Sequence, residues 1–180
     1  MRRNNFFFSG VLVLLLSLSI VSCKNEANEP SAEHVALEQA EKQLTDNLEM
    51  YETVWDDILN KREIDKINET NFDTSITFVS PPENVVGIED FKAYYQNYLT
   101  GFSDITFTLI DVLGQGDKIV KHWNFKGTHT GEFFGIPASG NKVDIDGVTL
   151  VKMKDGKIAQ EQDVLDNLLF YKQLGLIPTD

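Results

Sequence analysis

Near Ser103 the apolar period of this chain changes. Before it, water-avoiding side chains recur every three or four residues; after it, they alternate. A chain that is helical first and then runs as consecutive hairpins must cover one face of a sheet with its own N-terminal helices, which defines an α+β domain. Leu44, Leu48, Tyr51, Trp55 and Ile58 mark one amphipathic helix that begins near Ser31 and breaks at Asn60-Lys61-Arg62. Ile64 and Ile67 suggest a short second helix, and residues 75–79 a brief strand stopped by Pro81-Pro82, which have no ladder N–H to give. Gly87 opens a third helix whose Phe91, Tyr94, Tyr95, Tyr98 and Phe102 form an aromatic face. Core packing accounts for such a face, with a ligand wall as the alternative.

The strands are plainer. Residues 105–112 and 118–130 flank the turn Gly114-Gln115-Gly116-Asp117, and residues 142–154 and 157–164 flank Asp155-Gly156, a strong type I′ hairpin signal. Both hairpins are expected to be antiparallel. Asp166 suits the N-cap of a closing helix that carries Leu168, Leu169, Phe170 and Leu174, with Gly175 just past its end. A twisted sheet folded over helices in this way can enclose a pocket.

The N-terminus reads as an address. Arg2 and Arg3 precede an apolar stretch from Phe6 to Leu18, and Ile20-Val21-Ser22-Cys23 resembles a bacterial lipobox. Residues 1–22 are thus expected to be a lipoprotein signal peptide, with Cys23 the lipidated residue that holds the protein to a membrane of the cell envelope. Residues 23–32, polar and acidic with Pro30, are expected to be a flexible tether, and residues 33–180 the domain. With 16 Lys+Arg against 28 Asp+Glu and a net charge of −12, no basic face for nucleic acid is expected. A single cysteine leaves neither an internal disulfide nor a multi-thiolate metal site.

Most candidate motifs fail on chemistry. Gly114-Gln115-Gly116 lacks the remaining phosphate-loop residues and joins two strands. Asn68-Glu69-Thr70 is a glycosylation sequon that means little in a bacterial chain. His122 and His129 are seven apart, which on a regular strand sends them to opposite faces, so no metal is expected. What survives is a few polar groups among apolar strands. Trp123, Phe125 and His129 share one strand face, which sets an imidazole beside aromatic walls, although a lone strand histidine is more often structural. Asp163 ends the last strand, where it either faces the inside of the curl or lies in solvent. Inside, apolar surroundings would raise its pKa and make it a useful general base. A single bulge near Gly147 or in the last strand decides which.

The stretch Gly127-Thr128-His129-Thr130-Gly131-Glu132-Phe133-Phe134-Gly135-Ile136-Pro137-Ala138-Ser139-Gly140 resembles the hallmark of the SnoaL-like polyketide cyclase, or ester cyclase, family. Asp155-Gly156-Lys157-Ile158, Asp163-Val164-Leu165-Asp166 and Gln173-Leu174-Gly175 match the same family in the same order. The resemblance implies a nuclear transport factor 2-like cone, a curved antiparallel sheet wrapped over N-terminal helices around a deep apolar pocket. It implies Asp163 as the catalytic acid/base of an intramolecular aldol condensation that needs no cofactor. It places His129 and its neighbours through Gly135, Phe133 among them, near the pocket rim, and leaves Asp166 as a helix cap. Where cyclases of the family carry a histidine on the preceding strand, this sequence has Thr149, which carries no proton at neutral pH. Trp123, Phe125, His129, Phe133 and Thr149 are therefore the expected ligand-pocket residues.

Three functions compete at this level. The first is cofactor-free acid/base carbon chemistry on a small hydrophobic compound: aldol cyclisation, isomerisation or dehydration. The second is a lipoprotein that binds or scavenges such a compound without reaction. The third is an assembly protein that forms a homodimer through its open sheet face.

Overall fold

The computed structural model describes residues 30–178; Cys23, the leader and most of the expected tether lie outside them. Helix α1 (Ala32–Trp55) starts where the Ser31 hydroxyl accepts from the His34 N–H at 3.2 Å. Only its second half is buried, through Asn47, Tyr51, Val54 and Trp55. A π-helical turn at Asp56–Asn60 follows, which widens the helix so that Ile58 and Leu59 both turn inward after Trp55. A 3₁₀ turn at Ile64–Lys66 leads to β1 (Phe72–Phe78), three residues longer at its start than the sequence suggests. The short β2 (Val85–Val86), not anticipated, precedes α2 (Ile88–Gly101).

Strands β3 (Thr106–Gln115), β4 (Lys118–Thr128), β5 (Lys142–Lys154) and β6 (Lys157–Leu165) form two antiparallel hairpins joined side by side, as their alternation requires. The sheet order is β2-β1-β6-β5-β4-β3, so β2 and β3 are open edges. Beyond the antiparallel body, β1 joins β6 in parallel, because the chain crosses from one end of the sheet to the other through α2 and the hairpins. Asp155 and Gly156 both have positive φ, the signature of the type I′ turn. Helix α3 (Asn167–Leu174) begins at Asp166, whose carboxylate accepts from the Leu169 N–H at 2.9 Å, and ends at the left-handed Gly175.

Trp55 packs edge to face against Phe72 and Phe91, which lie tilted against each other, at the centre of the core. Burying each such ring stabilises the fold by roughly 1.5–3 kcal/mol. Arg62 reaches back to donate to the Phe102 carbonyl at 3.0 Å and to the Leu99 carbonyl, tying the end of α2 to the loop after α1. Gln173 exchanges two hydrogen bonds with the Asp144 backbone, at 2.8 and 3.0 Å, and fixes α3 against β5.

Candidate active site

Strand phase selects the groups that meet inside the cone. On β4 every odd residue turns inward, so Ile119, Lys121, Trp123 and Phe125 form one row on the concave face. On β6 the phase changes midway. Lys152 pairs with Gln160 and Met153 with Ile158, which leaves Ala159 as a bulge. Inward positions are therefore Ile158, Glu161 and Asp163, while Val164 turns out to solvent. Without that bulge, alternation from Ile158 would face Val164 inward and send Asp163 to the outside.

Asp163 is half-buried at the place where two cavities meet. The inner one, about 40 Å³, is walled by Trp55, Tyr95, Phe107, Lys121, Trp123 and Phe125. The outer cleft, about 420 Å³, is lined by Phe78, Tyr94, Phe133, Phe134 and Tyr171 among others, and shares Tyr98, Asp163, Leu165 and Phe170 with the inner one. The inner space admits little beyond a water-sized group, whereas the outer falls in the range of small-molecule sites.

Behind Asp163 runs a hydrogen-bonded chain. The Trp123 indole N–H donates to the Thr149 hydroxyl at 2.9 Å, and that hydroxyl donates to an Asp163 carboxylate oxygen at 2.5 Å. Spent on both sides, Thr149 fixes the carboxylate's direction. Burial raises the Asp163 pKa above the usual carboxylate value, while the Lys121 charge and the Thr149 hydrogen bond hold it back. Deeper in, Glu161 is fully buried and accepts from the Tyr51 hydroxyl, from the Trp55 indole at 3.1 Å and from the Tyr95 hydroxyl at 3.5 Å. Burial pushes its carboxyl up to about 7 against the pull of Lys121. Lys121 lies with its Nζ 4.3 Å from the Trp55 ring centroid, and burial lowers its pKa, with Glu161 and Asp163 opposing.

Of the expected pocket residues, Trp123 and Phe125 wall the inner cavity and Phe133 the outer cleft. His129 and Thr149, expected beside them, are not among the residues lining the two cavities. His129 keeps its inward phase but lies past the end of β4, sealed between Phe102 and Phe133, with Nδ1 3.0 Å from the Ser139 hydroxyl. Thr149 is wholly buried behind Asp163 and donates to its carboxylate. The aromatic face of α2 divides: Phe91 belongs to the core, while Tyr94 and Tyr98 line the cleft. Lys121 and Glu161 escaped the sequence reading, and Tyr51 was legible only as part of a helix face. The in-phase position of Lys121 between Ile119 and Trp123 was the available signal. Among the described residues no three His, Cys, Asp or Glu side chains converge to hold a metal ion.

A curved sheet over helices, with a carboxylate at the junction of an apolar cleft and cavity, defines the nuclear transport factor 2-like class. The model for SnoaL-like polyketide cyclases matches residues 45–174, and the chain belongs to that family. A 49-residue segment is 39% identical to aklanonic acid methyl ester cyclase of Streptomyces peucetius, a segment that spans 27% of this chain and 34% of that protein. The chain thus matches about a third of that relative's length. Among solved structures, a SnoaL-like polyketide cyclase homologue from Jannaschia sp. CCS1 superposes with a TM-score of 0.68 at 24% identity, over 75% of this chain and 95% of that one. TsrD from Streptomyces laurentii superposes with a TM-score of 0.65 at 26% identity, over 73% and 96%.

Proposed function

We propose that this domain binds a small hydrophobic carbonyl compound and performs cofactor-free acid/base carbon chemistry on it, with Asp163 as the base. The observation that supports this most is the position of Asp163, a desolvated carboxylate aimed by Thr149 at the neck between the outer cleft and the inner cavity. A flat ketone laid against Tyr94, Tyr98 and Phe133 would present its α-carbon there. The carboxylate takes the α-proton, the C–H pair becomes the enolate double bond, and the charge passes to oxygen. In a cyclisation the enolate carbon attacks a second carbonyl of the same molecule, a C–C bond forms, and the new alkoxide recovers the proton from Asp163. The partial likeness to a cyclase of aklanonic acid methyl ester supports cyclisation as the reaction type.

Exchange of α-hydrogens of 2-tetralone for deuterium in D₂O, followed by proton NMR, tests the base. The protein accelerates exchange, and Asp163→Asn loses that acceleration by about 100-fold or more. Equal rates for the two proteins would remove Asp163 from the chemistry, and binding without exchange is the signature of the scavenging alternative.

The sequence supports attachment of this domain to the cell envelope through Cys23, so Cys23→Ala should move the protein out of the membrane fraction. On the outer sheet face Leu113, Val120 and Leu150 are exposed and follow one another in register across β3, β4 and β5, which supports pairing with a second copy. Sedimentation of wild type and Leu150→Lys over a range of concentrations checks it: the variant stays monomeric where the wild type associates.

A further inference from the structure

Lys121 is a buried lysine without a conventional partner. It sits in mid-strand, 3% exposed, and among the described residues no ion pair or hydrogen bond engages its Nζ. Three aromatic rings hold it instead, with Nζ 4.3 Å from the Trp55 centroid, 5.2 Å from Tyr51 and 5.4 Å from Phe107. Ring faces stabilise a cation but do not use its N–H donors as a conventional acceptor would. Lys121 also lines the inner cavity. An ammonium with donors to spare, in a cavity wall, is a binding group for a negative oxygen.

The register says where that oxygen would lie. Lys121 pairs with Thr149, and Thr149 pairs with Asp163, so lysine and carboxylate occupy one cross-strand row. Their Cα atoms are about 10 Å apart, two strand spacings. Between the two side chains is the inner cavity of about 40 Å³, room for one polar group rather than a whole ligand. A carbonyl compound seated in the outer cleft with its α-carbon at Asp163 has its carbonyl oxygen two bonds further on, and that space receives it.

The geometry points to Lys121 as a second catalytic residue, the donor that takes the enolate oxygen as Asp163 removes the α-proton. This rests on the reading of Asp163 as the base and extends it to a ligand class: flat apolar molecules whose carbonyl, enol or phenol oxygen binds as an oxyanion. During the step negative charge leaves Asp163 and arrives on the substrate oxygen, both inside the cavity that Lys121 faces. The lysine keeps its proton throughout. Burial, by lowering the lysine's pKa, makes the ammonium a stronger donor. Glu161, anchored by Tyr51, Trp55 and Tyr95, acts on the lysine as opposite charge when it is ionised.

The probe is 2-naphthol, a flat enol whose oxyanion has the outline of the 2-tetralone enolate, and whose ionisation is read by absorbance. Wild-type protein binds it ionised, lowering its pKa by about one to three units. Lys121→Met loses that shift and slows 2-tetralone exchange by about 100-fold or more, whereas Asp163→Asn keeps the shift and loses only exchange. Lys121→Met/Glu161→Gln removes both buried charges together and gives the same result if the single variant fails to fold. Naphthol bound neutral by wild type, or a shift that survives in either folded lysine variant, overturns the assignment. If wild type ionises naphthol through Lys121 yet exchanges no deuterium, the oxyanion site stands and the Asp163 reaction is the part that fails.

Discussion

Lys121 and Asp163 stand in one cross-strand row, two strands apart, with Thr149 between them. The row carries a lysine and a carboxyl group into an otherwise largely aromatic interior. Thr149 directs its hydroxyl to the carboxylate, while the lysine lies against the rings of Trp55, Tyr51 and Phe107. Charge separation of this kind costs folding energy and leaves room for a ligand.

Thr149→Val removes the hydrogen bond that favours the ionised form of Asp163. The Asp163 pKa then rises further, and the acid limb of the exchange rate against pH moves upward. The Trp123 N–H also loses its acceptor, which destabilises the fold by about 1–3 kcal/mol. Thr149→Ser keeps both bonds and the original limb. A pH–rate profile with urea unfolding of each variant checks this.

Glu161→Gln tests the buried carboxyl through stability. In the folded protein the Glu161 pKa is raised, so folding favours its protonated form. Well below the usual value of 4.5 both states are protonated and the group contributes nothing; between there and about 7 the unfolded chain ionises first and stability falls. The fall is on the order of 3 kcal/mol. Urea unfolding at pH 5 and pH 8 should show a larger loss for wild type than for the variant, since glutamine does not titrate.

Gly147→Ala reports on the support of Trp123. A Cβ at Gly147 would lie 2.2 Å from the indole Cζ2, so the ring must move. Overpacking of this kind destabilises by about 1–3 kcal/mol. Because the same indole positions Thr149, exchange activity falls along with the melting temperature.

Asp166→Ala separates the two aspartates of the Asp163-Val164-Leu165-Asp166 run. Asp166 caps α3 and is exposed, so its loss costs about 1 kcal/mol of stability and leaves the exchange rate at wild-type level. Thermal unfolding and the 2-tetralone assay together give the two readouts.

The hairpins were legible because period-two alternation and Asp155-Gly156 depend on local chemistry alone, and the same holds for the Asp166 cap and the Gly175 stop. Family motifs located Asp163. Its direction was not legible, because the bulge at Ala159 comes from the pairing of β6 with β5, and one displaced residue exchanges the faces of everything after it. Lys121 was missed for a different reason. A charged residue within an alternating strand is ordinarily placed on the wet face, and only the rings of Tyr51, Trp55 and Phe107, brought from α1 and β3, make its inward phase tenable. His129 shows the converse: its phase was right, but Phe102 at the end of α2 closes that end of the cone.

The central claim is that the fold holds the Asp163 carboxyl desolvated, with burial raising its pKa above the ordinary aspartate value. Carbon-13 NMR titration of the protein labelled at aspartate carboxyl carbons, with the Asp163 signal assigned by its absence in Asp163→Asn, measures this without a substrate. The account predicts a midpoint clearly above the ordinary aspartate value of 3.8. A midpoint at or below that value would contradict it.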